Sequence, residues 1–199
     1  MTDKILLIDG HSIMSRAFYG IPELTNSQGL HTNAVYGFLN ILLKVLDQEQ
    51  ADHLAVAFDV HEPTFRHKMF DAYKGTRKPM PPELHEQIPL MQEVLQAMNI
   101  TVLEKEGFEA DDLIGTMTAK AAEAGLESLI ITGDKDALQL VGENTYVVLN
   151  RKGMTDFDLY DLEKMQERYG LTPQEFIDLK GLMGDKSDNI PGIPGVGEK

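Results

Sequence analysis

Ile5-Leu6-Leu7-Ile8-Asp9 and Leu54-Ala55-Val56-Ala57-Phe58-Asp59 decide the fold, because each is an unbroken apolar run closed by an aspartate. A strand wet on one face alternates apolar and polar residues. A run apolar at consecutive positions must be covered on both faces, as in the interior of a parallel sheet. Leu129-Ile130-Ile131-Thr132 repeats the pattern and leads through Gly133 to Asp134, while Ile100-Thr101-Val102-Leu103 precedes Glu109 by a short loop. Tyr146-Val147-Val148-Leu149 is a fifth run, expected to join the same sheet.

Helical periodicity fills the intervals. Val35, Phe38, Leu39, Leu42, Leu43 and Leu46 recur every 3.6 residues behind Thr32 or Asn33 as a cap. Pro81 and Pro82 open a helix over residues 82–98 that Pro89 should kink. Asp111 to Ala124 reads as a third helix ended by Gly125, and Thr172-Pro173 starts a fourth that reaches Met183. Strands alternating with helices predict an α/β fold, a central and mostly parallel sheet flanked by helices. No repeat, low-complexity segment or linker interrupts the chain before residue 184. Residues 1–183 therefore read as one α/β domain and residues 184–199 as a short separate region.

The 199 residues, 42% hydrophobic and 25% charged, suffice for one substantial core. With no cysteine, the chain can build no disulfide, thiolate zinc site, iron–sulfur cluster or thiol nucleophile. Only four apolar residues precede Asp9, too few for a secretory leader, and no run approaches the roughly 20 needed to span a bilayer. A soluble cytoplasmic monomer with no membrane contact is the expectation.

Charge is more informative. Eighteen Lys+Arg against 32 Asp+Glu give −14, which excludes a protein that coats nucleic acid with a uniformly basic surface. Ligands of open parallel sheets bind outside the carboxyl ends of the strands, and Asp9, Asp59 and Asp134 stand at such ends. Glu109, Asp111 and Asp112 open a helix, Asp136 follows Asp134 in a D-x-D pair, and Asp185 and Asp188 form a D-x-x-D pair. First-turn acids also have a plain explanation in the helix dipole, and D-x-D turns are common. Nine carboxylates on one edge would nevertheless repel one another strongly, and hard divalent cations relieve that repulsion. Oxygen-only donors suit Mg2+ or Mn2+, two or more ions. Such a pair clamps a phosphodiester for in-line hydrolysis. The six histidines show no spacing that rivals the carboxylates and read as surface or phosphate contacts.

Residues 61–82 reverse the sign. Arg66, Lys68, Lys74, Arg77 and Lys78 face only Glu62 and Asp71, with Phe65, Phe70 and Tyr73 interleaved. Composition allows a solvated loop; basic and aromatic side chains together also suit single-stranded nucleic acid. At the C-terminal end Asn189-Ile190-Pro191-Gly192-Ile193-Pro194-Gly195-Val196-Gly197-Glu198-Lys199 is a glycine-rich turn after a helix, able to present backbone N–H groups to a phosphate.

These motifs occur together and in order. Ile-Asp-Gly-His-Ser (8–12), Tyr-Gly-Phe (36–38), Phe-Asp (58–59), Thr-Phe-Arg (64–66), Tyr-Lys-Gly-Thr-Arg (73–77), Glu-Ala-Asp-Asp (109–112), Thr-Gly-Asp-Lys-Asp (132–136) and Met-Gly-Asp-Lys-Ser-Asp-Asn-Ile-Pro-Gly (183–192) make the chain resemble the N-terminal 5′→3′ exonuclease domain of bacterial DNA polymerases I, within the flap-endonuclease superfamily. The resemblance implies a PIN-like 5′-nuclease fold that hydrolyses DNA flaps and RNA primers by two-metal-ion catalysis in replication and repair. Asp59, Glu109 and Asp111 would serve the first metal, with Asp9 and Asp112 bound through water or nearby. Asp134, Asp136, Asp185 and Asp188 would serve the second, and Lys74 would stand beside the scissile phosphate.

By the same resemblance, residues 61–98 form a helical arch threaded by the 5′ strand, and Tyr36, Arg66, Tyr73, Arg77 and Lys78 contact DNA. Gly192, Gly195 and Gly197 would belong to the first half of a helix–hairpin–helix motif that grips duplex and binds K+. The implied partners are nicked or branched DNA with a 5′ flap, RNA–DNA primers, and a polymerase module in cis, on the bacterial nucleoid. Because the family continues beyond the position of Lys199, the chain is expected to be a fragment. A PIN-type single-strand ribonuclease and a non-cleaving DNA-junction and metal-binding module are the competing readings.

Overall fold

The computed structural model of the chain describes residues 2–152 and 156–197. Six strands form one sheet: β1 (Lys4–Asp9), β2 (His53–Ala57), β3 (Thr101–Leu103), β4 (Glu127–Thr132), β5 (Thr145–Lys152) and β6 (Asp156–Tyr160). Their order is β3-β2-β1-β4-β5-β6; the first five run parallel, and β6 closes the edge antiparallel to β5. The expected mostly parallel sheet is therefore present, fifth run included. Strand order reverses between β1 and β4, and that reversal opens a crevice at the carboxyl edge.

Among the described residues eight α-helices flank the sheet: α1 (Gly10–Gly20), α2 (Asn33–Glu49), α3 (Phe65–Met69), α4 (Pro82–His85), α5 (Gln87–Ala97), α6 (Ala110–Glu123), α7 (Leu162–Tyr169) and α8 (Pro173–Met183), with one 3-10 helix over Lys135–Leu140. The apolar runs split by parity. Leu6 and Ile8 of β1 join Phe38, Leu42, Phe58, Met91 and Leu95 on one face, while Leu7 joins Ala110, Ile114, Ile130, Val147 and Met165 on the other. Each fully buried aliphatic side chain contributes about 1.5–3 kcal/mol, so a strand covered twice gains from every position.

The expected helix over 82–98 is two helices. Proline at 89 lacks an N–H and its ring crowds the carbonyl four residues back, at His85, where α4 ends. The join at Glu86 is held from outside. Gln87 is fully buried, and its Oε1 accepts from the N–H groups of Ala34 (2.8 Å) and Val35 (3.3 Å) in the first turn of α2. Its Nε2 donates to Asn33 Oδ1 and the Glu83 carbonyl. One amide thereby satisfies donors that a helix N-terminus leaves unpaired.

Four elements go beyond the sequence reading: α1, β6, α7 and the 3-10 helix. α1 begins directly on β1 with Gly10, a poor helix former that periodicity passes over. Glycine is required there, because a Cβ would lie 2.6 Å from the Phe58 ring. β6 and α7 are short, and each buries one side chain fully, Tyr160 and Met165. The expected arch is also shorter than residues 61–98. Leu84, Met91 and Leu95 of α4 and α5 lie in the core, so only residues 61–81 cross the carboxyl edge, and within them only α3 is helical. Residues 198–199 of the glycine-rich stretch lie outside the described residues. No helix among the described residues is long and apolar enough to cross a membrane.

Candidate active site

Asp9 closes β1 and caps α1. Its Oδ1 accepts from the Ser12 N–H at 3.0 Å and its Oδ2 from the Thr132 hydroxyl at 2.8 Å, at the end of neighbouring β4. Burial pushes its carboxyl up to about 6; these two hydrogen bonds oppose the shift, and the charges of Asp59 and Asp134 add to it. Asp59 follows β2. Its N–H donates to His11 Nδ1, and its Oδ1 accepts from the Ala110 N–H at 2.6 Å, joining the β2 end to the start of α6.

Asp111, in the first turn of α6, faces this crevice. Desolvation by the surrounding protein and the charges of Asp9, Asp134, Asp59 and Glu109 push its carboxyl up to about 8. Its side chain is open to solvent, which screens part of that repulsion. Asp134 caps the 3-10 helix by accepting from the Asp136 N–H at 2.9 Å. These acids line an open cleft of about 970 Å3 together with Glu109, Asp136, Asp185 and Asp188. Eight of the nine predicted carboxylates thus share one cleft.

Asp112 is the exception. Both its oxygens accept from the Arg66 guanidinium at 2.8 Å, and its Oδ2 also accepts from the Glu109 N–H. Asp112 faces away from the cleft because the first-turn geometry of α6 sends successive side chains to different sides. Its carboxyl lies below the usual range: burial would raise it, and Arg66 outweighs burial.

The basic segment lies on the carboxylates. Lys74 Nζ donates to Glu109 Oε1 at 2.7 Å and Tyr73 Oη to Glu109 Oε2 at 3.0 Å. Tyr73 is 5% exposed, and burial and Glu109 push its phenol well above the usual tyrosine range. Lys74 sits at φ 55°, a left-handed conformation that costs a residue with a Cβ of order 1 kcal/mol or more. Its N–H donates to the Asp188 carbonyl, Asn189 Nδ2 donates to the Ala72 carbonyl, and Arg77 pairs with the Asp188 carboxylate. Residues 72–77 are thereby fastened to the 185–189 turn.

Of the expected nucleic-acid contacts, Tyr36 is 55% exposed on the first turn of α2 and stands outside the cleft, and Lys78 is exposed. Arg66, Tyr73 and Arg77 are engaged with Asp112, Glu109 and Asp188. Gly192 is glycine for packing, since a Cβ there would fall 1.9 Å from the Met183 carbonyl oxygen. Gly195 adopts φ 86°, and Gly197 faces open space.

One charged residue escaped the sequence reading. Lys180 of α8 stands between Asp136 Oδ1 (2.9 Å) and Asp185 Oδ2 (3.0 Å). Burial would raise the Asp185 carboxyl, but hydrogen bonds from Ser187 and Lys180 hold it down at about 2. No local spacing links Lys180 to Asp136, 44 positions away; only the packing of α8 on the 3-10 helix does.

The donor set fits hard divalent cations, being all oxygen, with carboxyl groups at Asp9 and Asp111 whose ionisation is opposed until positive charge arrives. Among the described residues no three of these groups already converge as a ligand cage. Lys74, Lys180 and Arg77 balance part of the charge instead.

Fold and cleft define a nuclease-type α/β domain with its acids at the sheet's carboxyl edge. Sequence comparison agrees. The profile of the 5′-3′ exonuclease N-terminal resolvase-like domain matches residues 4–170, and that of the 5′-3′ exonuclease C-terminal SAM fold matches residues 171–199. The chain belongs to the 5′-3′ exonuclease family. It is 52% identical over 199 residues to DNA polymerase I of Bacillus caldotenax and 53% identical over 196 residues to that of Bacillus subtilis. It spans 100% and 98% of its own length in these matches but only 23% and 22% of theirs.

Solved structures share the fold. A bacteriophage T5 5′-exonuclease with bound zinc superposes with a TM-score of 0.77 at 23% identity, over 98% of this chain and 72% of that one. The bacteriophage T5 flap endonuclease in a complex with DNA and metal ions gives 0.76 at 22% identity, with the same coverage. Human GEN1 bound to Holliday junction DNA gives 0.62 at 17%, over 97% of this chain and 46% of that one.

Proposed function

We propose that this domain is a structure-specific 5′ nuclease that cleaves nicked or branched DNA bearing a 5′ flap, and RNA–DNA primers, with Mg2+ or Mn2+. The observation that carries the proposal is the cleft itself: eight carboxylates from five separate chain regions, with a cationic segment lying across them. Asp59, Glu109 and Asp111, supported by Asp9, would hold one ion. Asp134, Asp136, Asp185 and Asp188 would hold a second. Bound there, such ions supply a deprotonated water and neutralise charge on the attacked phosphate.

The chain's own residues do the rest. Thr132 and the Ser12 N–H orient Asp9, and the Ala110 N–H orients Asp59, so neither carboxylate needs to reorganise on binding. Lys74 moves from Glu109 to a phosphate oxygen when positive charge reaches Glu109. Arg77, at the surface beside Asp188, holds a flanking phosphate. The glycine-rich stretch from Asn189 would contact duplex, and its backbone carbonyls would be the donors for K+. Joined to a polymerase in cis, as in the DNA polymerase I relatives, the domain would remove primers and flaps in the bacterial cytoplasm.

A labelled 5′-flap duplex and a linear single-stranded RNA, each incubated with Mg2+ and then with chelator, test this. Metal-dependent cleavage of the flap is the expected result. Preferential cleavage of linear RNA would favour a PIN-type ribonuclease, and binding without cleavage a junction-binding module.

A further inference from the structure

Outside the cleft, two histidines meet. His61 follows β2, His85 ends α4, and their Nε2 atoms lie 2.9 Å apart. The ring centroids are 5.0 Å apart and the planes 33° apart, so the rings approach through their Nε2 edges and do not stack. Both residues are exposed. Of two neutral imidazoles in such a contact, one donates its N–H and the other offers a lone pair.

A metal can take the place of that shared proton. Imidazole nitrogens bind a transition-metal ion at about 2.0–2.1 Å, so two of them at a right angle on one ion stand about 2.9 Å apart. The two rings already keep that separation, and occupancy requires them to tilt without moving the backbone. Imidazole prefers Zn2+, Cu2+ and Ni2+, whereas the carboxylate cleft prefers Mg2+ and Mn2+. Because the same transition-metal ions also bind oxygen donors, a large excess of Mg2+ is what reserves the cleft and leaves the imidazoles to them.

We propose that His61 and His85 form a second metal site, taking one borderline transition-metal ion of the Ni2+, Cu2+ or Zn2+ class, with water completing its coordination. Among the described residues no third His, Asp or Glu joins the pair, so its affinity is that of a two-ligand site. Its position gives it a consequence. The two histidines stand at either end of the basic segment, and His85 is anchored between buried Leu84 and buried Gln87. An ion held by both would staple the base of that segment.

Calorimetric titration with Ni2+ in excess Mg2+, which fills the carboxylates, tests the site on the whole chain. One Ni2+ per chain is expected, with affinity at least about tenfold weaker in His61→Ala and in His85→Ala. The double variant should lose this binding altogether. Electron paramagnetic resonance of added Cu2+ should show nitrogen couplings from two imidazoles, reduced to one in each single variant. Melting temperatures close to wild type would exclude a folding defect, and His61→Gln and His85→Gln repeat the test with side chains of similar bulk. Ni2+ should also slow tryptic cleavage after Lys74 and Arg77 in the wild type alone; equal cleavage in all variants would overturn the staple. Unchanged Ni2+ affinity in both histidine variants, or loss only on replacing His11, His31, His53 or His67, would overturn the site.

Discussion

The Lys74 ammonium and the Tyr73 hydroxyl, adjacent in sequence, take one carboxylate oxygen each of Glu109, at 2.7 and 3.0 Å. Glu109 at the head of α6 thus holds two neighbouring side chains of the cationic segment, and anything that occupies Glu109 frees Lys74.

Replacing Lys74 should therefore affect the chemical step. Lys74→Ala is expected to lower kcat and kcat/KM alike, by on the order of 10²-fold, as for other lost electrostatic stabilisers. Arg77→Ala should act chiefly on KM. Steady-state and single-turnover cleavage of a 5′-flap duplex measures both. A raised KM with unchanged kcat in Lys74→Ala would assign it to uniform phosphate binding.

The pH dependence of stability follows from Asp9 and Asp111. Their carboxyls stand at about 6 and about 8 in the folded chain, against 3.8 in the unfolded chain. Between these values these two carboxyls bind more protons in the folded state, so their contribution to stability falls as pH rises from 4 to 8. Thermal scans in chelator should show the melting temperature dropping over this range, and Mg2+ or Mn2+ should flatten the slope while raising the melting temperature at pH 8. Identical slopes with and without metal would contradict the mutual repulsion.

Asp111→Asn separates stability from activity. Removing the most repelled charge should raise the melting temperature of the metal-free protein at pH 8 while abolishing cleavage. Asp59→Asn should abolish cleavage too, without the same gain, because the Ala110 N–H stabilises that carboxylate. Calorimetry paired with the flap assay gives both readouts.

Gly10→Ala should destabilise the fold by about 1–3 kcal/mol, since its Cβ would meet the Phe58 ring at 2.6 Å. Phe58→Leu removes the clash and should recover part of the loss when the two changes are combined. Urea unfolding of the four proteins of that cycle measures the coupling; additive losses would place the strain elsewhere.

Gln87→Leu leaves the Ala34 N–H buried without its acceptor and should lose about 1–3 kcal/mol. Hydrogen exchange should then rise at Ala34 and Val35, in the first turn of α2. Protection unchanged at both would mean that water or another acceptor replaces the amide.

The sheet and the inventory of acids were legible in the chain's apolar runs and their ends. Continuous apolar runs such as Ile5–Ile8 can be stable only between two layers, and the acids at their ends then fall on one edge whatever the connecting segments do. Which partner each acid takes came from packing. Asp111 and Asp112 are neighbours in sequence, yet one opens to the cleft and the other turns to Arg66, because consecutive helical positions diverge by about 100°. Lys180 lies between Asp136 and Asp185, and His61 meets His85, through contacts among elements distant in sequence. Periodicity reports which face of an element is apolar. It carries no information on which side chain of another element arrives opposite a given carboxylate or imidazole, since that depends on how whole helices pack on the sheet.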